Sequence, residues 1–86
     1  MSVPSELEVR AALELIEACD RLLPRLHAVI VQHEHAASVA RPDWSGPHHE
    51  TFEERVASVQ RTLSQGQLWV LHVRHDALSR LEQPAA

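Results

Sequence analysis

A single dense cluster of turn-forming residues interrupts this chain, Arg41-Pro42-Asp43-Trp44-Ser45-Gly46-Pro47, and it lies at the centre. Both sides of it follow a helical rhythm. On the N-terminal side, three lines repeat at seven-residue spacing. The first is Ala12, Cys19, Leu26, His33; the second Leu15, Leu22, Val29, Ala36; the third Ile16, Leu23, Ile30, Ala37. These are positions a, d and e of a heptad, the broad apolar face of a helix packed in a bundle. Ser5 and Glu8 read as a capping box after Pro4, so a helix is predicted over residues 5–39. Pro24 removes one backbone hydrogen bond, but it falls at f, on the solvent side. The register continues unshifted through it, which predicts one kinked helix rather than two. His33, at an a position, reads as a polar seam residue that sets register.

Arg41-Pro42 is expected to stop the first helix, because a residue before proline disfavours the α region. The turn is predicted over 40–46 and a second helix over 47–82, ended by Pro84. Pro47 suits a first helical turn, with Ser45 or Gly46 as cap and Glu50, Glu53 and Glu54 favourably placed near the N-terminus. The second helix carries Phe52, Val56, Val59, Leu63, then Gly66, Val70, Val73, Ala77, a coiled-coil-like 4-3 seam with a glycine inside it. A second stripe follows Gly66: Leu68, Leu71, His75, Leu78.

The fold class is therefore all-α, an antiparallel two-helix hairpin forming a single domain over residues 1–86. Composition agrees. Leu, Ala, Glu, Arg and Gln abound, aromatics are 3%, and two glycines in 86 residues leave little chemistry for β-hairpins. Two helices of this length share one contact line, and a chain this short buries little surface by itself. The leftover apolar positions are expected to face a partner: Ile16, Leu23 and Ile30 on the first helix, and Leu68, Trp69, Leu71 and Leu78 on the second. The simplest partner is a second hairpin completing a four-helix bundle.

Other classes are disfavoured. Eight arginines, no lysine and twelve acids give a net charge of −4, with no basic stripe for nucleic acid. No apolar run approaches a membrane span, and the N-terminus does not read as a cleaved signal peptide. The chain is expected to be made in the cytoplasm, with secretion by a route without a cleaved signal left open. One cysteine permits neither an intrachain disulfide nor a thiolate zinc site, and Cys19 reads as a small core residue. Seven histidines raise a metal or pH-responsive alternative: His35, His48 and His49 could meet near the turn, and the i,i+3 pair His72/His75 could hold a metal with a carboxylate such as Asp76. Neither His-Glu-x-x-His nor Glu-x-x-His occurs, so solvated histidines and no metal or other cofactor are expected. No nucleophile–base pair or phosphate loop stands out, so no enzyme is expected.

A helical hairpin with Trp44-Ser45-Gly46 in its turn resembles the WXG-motif family of type VII (ESX) secretion substrates. Phe52 stands eight residues after Trp44, where that family often carries an aromatic or apolar residue. The resemblance covers nearly the whole chain in architecture and a handful of residues in motif. It implies homo- or heterodimers forming a four-helix bundle, passage through a type VII apparatus, and roles as partner, chaperone or effector. The family's export signal is often Tyr-x-x-x-Asp/Glu in a tail beyond the second helix. This chain has no tyrosine; His72-x-x-x-Asp76 has the spacing but lies within the predicted helix, so a partner chain is expected to carry the signal. A structural or regulatory partner, such as an antitoxin- or immunity-type protein, is the alternative from another class.

Overall fold

The computed structural model describes residues 4–82 and consists of two long helices joined by a tight turn. Helix α1 spans Glu6–Ala40 and helix α2 spans Pro47–Leu81, each of 35 residues. At 1.5 Å per residue each is roughly 52 Å long. They run antiparallel side by side, giving extents of 64 × 20 × 14 Å. The radius of gyration is 19.4 Å, against roughly 12 Å for a globular chain of this length. The molecule is a rod with one internal seam.

Local chemistry accounts for the boundaries. Ser5 caps α1, its Oγ accepting a hydrogen bond from the Glu8 N–H at 3.1 Å. α1 is unbroken through Pro24, which points to solvent. It also ends one residue later than expected. Arg41 keeps right-handed helical angles (φ −53°, ψ −42°) despite Pro42, and the chain leaves through a 3-10 turn over Arg41–Asp43. That tighter turn accepts proline near its start, where no N–H is needed. Gly46 then adopts φ 64°, the only positive φ among the described residues, and caps α2 ahead of Pro47. The reversal needs a residue without a Cβ at this point. α2 passes through Gly66 without a break. The expected stop at Pro84 lies outside the described residues.

The seam is thin. Among the described residues only Ala12, Cys19 and Ala37 of α1 and Val56, Val70 and Ala77 of α2 are buried. No Leu, Ile, Phe or Trp is among them. Burying a large aliphatic side chain contributes about 1.5–3 kcal/mol, and this hairpin makes little use of that term on its own. Small residues let the helices approach closely, and the larger ones are left along the edges. His33 lies half-buried in the seam as expected from its register, with its Nδ1 fully enclosed and without a hydrogen-bond partner.

Candidate interaction surface

The seam divides the rod into two long flanks, and they differ in kind. On α2 the residues Glu53, Gln60, Gln67 and Arg74 recur every seven positions on one side of the buried line. On α1 the corresponding line is Ile16, Leu23, Ile30 and Ala37. Antiparallel packing brings these two lines to the same flank. Arg74 Nε donates to Asp20 Oδ1 at 2.7 Å across it, and Arg41 donates through Nε and Nη2 to both carboxylate oxygens of Glu53. Gln60, Gln67 and Arg74 are half-buried on this flank, as long polar side chains are when their stems lie along apolar surface and their ends stay in water. Ile16, Leu23 and Ile30 are half-buried under this arrangement. This flank is closed within the chain.

The other flank has no such cover. Leu15 and Leu22 of α1 are each 43% exposed and Val29 is 45% exposed; Val59 of α2 is 43% and Trp69 67% exposed. A groove of about 230 Å³ runs between Leu15, Ala18, Leu22 and the facing Trp69, Val70 and Val73. It continues toward the open end of the hairpin as a wider groove of about 490 Å³, where Glu8, Asp76 and Arg80 join the lining. An apolar line of this length is more than the scattered single residues normal on a soluble surface.

The residues expected to meet a partner therefore divide. Trp69 lies on the open flank, where it lines the groove. Ile16, Leu23 and Ile30 are partly taken up by the hairpin itself. Leu68 is 65% exposed on the outer surface of α2. Leu71 and Leu78 each follow a buried residue, Val70 and Ala77, by one position, which turns them to the opposite edge of α2 from Trp69. Leu15, Leu22 and Val29, which the seven-residue rhythm did not single out for a partner, are the more accessible line of α1, and the α2 line facing them, Phe52, Val59, Gly66 and Val73, carries no charge.

At the far end the turn forms a small polar and aromatic lock. Trp44 and Phe52 stack with ring centroids 5.2 Å apart and planes 8° from parallel. This offsets part of the exposure of Trp44, which remains 43% accessible. The hydrogen bonds from Arg41, and more weakly its charge, hold the Glu53 carboxyl below the usual carboxylate range and push the Arg41 guanidinium up. His49 Nε2 stands 4.0 Å from the same carboxylate. Trp44, Gly46 and Phe52 are thus brought together by one turn.

His72 and Asp76, the pair with export-signal spacing, are side by side on α2 with Nε2 and Oδ2 3.7 Å apart, and both are exposed. The His72 ring also lies 6.2 Å from Trp69. Among the described residues no three His, Cys, Asp or Glu side chains stand close enough to hold a metal ion. No described helix is long and apolar enough to cross a membrane. No family model matches this chain, and neither a curated protein nor a solved structure matches it.

Proposed function

We propose that this chain is a non-enzymatic helical hairpin that acts by pairing with a second hairpin into a four-helix bundle. The observation that carries the reading is the open flank. A hairpin whose buried residues are alanine, cysteine and valine while Leu15, Leu22, Val29 and Trp69 stay accessible is half of a core. A partner that covers this flank supplies the burial that the seam lacks.

Within that class, a substrate or partner of the type VII secretion kind is the reading that the turn favours. Trp44-Ser45-Gly46 sits at the reversal between α1 and α2, with Gly46 in the backbone state that only glycine adopts readily and Trp44 stacked on Phe52. The exposed His72–Asp76 pair lies inside α2, so in this reading a partner chain bears the export signal. The protein is made in the cytoplasm and leaves it, where it leaves, as a folded pair.

Two measurements test this. Mass determination of the pure protein across a concentration series should give a dimer, and a stable monomer at high micromolar concentration overturns self-pairing. Co-expression with a type VII apparatus and a tailed hairpin partner should place both chains in the culture medium. Retention of this chain while the partner is exported overturns the secretion reading and leaves the helical partner reading alone.

A further inference from the structure

Gly66 is the residue of this hairpin that its own fold does not explain. Glycine in mid-helix is unfavourable relative to alanine, through backbone entropy and the lost side chain. Two internal reasons would justify it, an unusual backbone angle or close approach of α1. Neither applies. Among the described residues the positive φ belongs to Gly46 alone, and a Cβ built on Gly66 meets nothing within 4 Å. Gly66 falls on the line of Val59 and Val73, in the middle of the open flank, three residues from the exposed Trp69.

We propose that the open flank is the face on which a second copy of this chain docks, and that Gly66 is the notch that admits a bulky side chain of that copy. The proposal rests on the pairing reading above and adds to it the face, the occupant and the contact. Three features select a second copy. The first is that knob and hole share one face. A twofold interface uses the same patch on both chains, so it needs a protruding group and a recess that accepts it on one surface, and Trp69 and Gly66 supply them.

The second feature is charge. The open end of this face carries two acids, Glu8 and Asp76, beside one arginine, Arg80; toward the turn Arg55 stands two heptads before Trp69, with Arg25 close to the middle of α1. A copy running the opposite way brings Arg55 of each chain to the end where the acids of the other outnumber its arginine. The third is size. A face 64 Å long and 20 Å wide between extreme Cα atoms is on the order of 1,000 Å², where stable complexes bury about 800 Å² per partner.

The test is sedimentation equilibrium of the full chain, with unfolding followed by circular dichroism at concentrations on either side of the dimer dissociation constant. The variants are Gly66→Ala, Gly66→Gln and, as a control on the closed flank, Gln60→Ala. Gly66→Ala should raise the unfolding midpoint of the dissociated chain and yet weaken dimerisation at least tenfold. Gly66→Gln should weaken it at least a hundredfold with helicity kept, and Gln60→Ala should change it less than twofold. A parent dimer that Gly66→Ala leaves equally tight or tightens overturns the notch and this face, while pairing itself stands. A monomeric parent overturns the second copy and self-pairing, while pairing with a different hairpin is decided by the co-expression test. Gly66→Ala carries the test by itself if the glutamine variant does not fold.

Discussion

The two flanks of the hairpin are built from the same apolar stripe of α1 and finished differently by α2. On one flank α2 presents Glu53, Gln60, Gln67 and Arg74, Arg74 reaches Asp20 across it, and Ile16, Leu23 and Ile30 are half-buried. On the other it presents Phe52, Val59, Gly66 and Val73, and Leu15, Leu22 and Val29 are left accessible. The ion pairs on the closed flank are exposed, and exposed pairs add little to stability. They define which side is finished more than they hold the fold together. An amphipathic helix is thus not enough to say where a protein ends and its interface begins; the facing helix decides that.

The largest effect that this comparison predicts is at Leu22. Leu22→Asp should weaken self-association by a hundredfold or more, because an unpaired charge buried at an interface costs about 3–5 kcal/mol and each 1.4 kcal/mol is tenfold. Leu71→Asp, at the opposite edge of α2, should weaken it less than tenfold. Both variants should keep their helix content. Equal losses from the two would show that the partner wraps both edges and that the flanks are not distinct.

Next in size is His33, which belongs to the seam and to neither flank. Its enclosed, unpartnered Nδ1 is an unsatisfied polar group, a loss of about 1–3 kcal/mol relative to a satisfied or apolar one. His33→Leu should therefore stabilise the chain by about 1 kcal/mol, raising the unfolding midpoint by roughly 4–8 °C. The gain should be the same at every protein concentration, because the seam is intramolecular. A gain that appears only in the dimer would place His33 at the partner contact.

Arg74→Ala is expected to do less. It removes the pair with Asp20 and part of the cover over the closed flank. The loss should be within about 1 kcal/mol and independent of self-association. Stronger dimerisation in this variant would show that uncovering the closed flank creates a second interface, and would make the ion pair a guard against mispairing.

The seven-residue rhythm and the central turn carried nearly all of the fold in the sequence. Helix boundaries fell within a residue, because capping by Ser5, the missing N–H of Pro42 and Pro47 at the first turn of α2 act locally. The choice of flank was harder to read. The stripe on α1 is three lines wide, and heptad letters alone treat Leu15, Leu22, Val29 and Ile16, Leu23, Ile30 as equals. Their fates separate only when α2 is laid antiparallel and its polar line is matched to one of them. The position of Gly66 within a seam was legible, but not that the space in front of it is empty. The stacking of Trp44 on Phe52 was likewise hidden, since it depends on the geometry of the Gly46 reversal between them.

The smallest expected effect concerns acid and the closed flank alone. Glu53 has its carboxyl held below the ordinary glutamate range, first by the hydrogen bonds from Arg41, against an opposing push from partial desolvation, with the charges of Arg41 and His49 adding to the lowering. A carboxyl whose pKa is lower folded than unfolded stabilises the fold above the unfolded value, and that contribution disappears as pH falls through the folded value. The window therefore opens near the ordinary glutamate value of about 4.3 and extends below it. Between pH 6 and 3 the unfolding midpoint of the parent should fall more steeply than that of Glu53→Gln. The pair is solvent-exposed, so the difference should shrink in 1 M salt, where the screening length is about 3 Å. Curves of parent and variant that run parallel at low salt would show that the Arg41–Glu53 pair does not form in solution, and that the closed flank owes its closure at the turn to the packing of Trp44 on Phe52 instead.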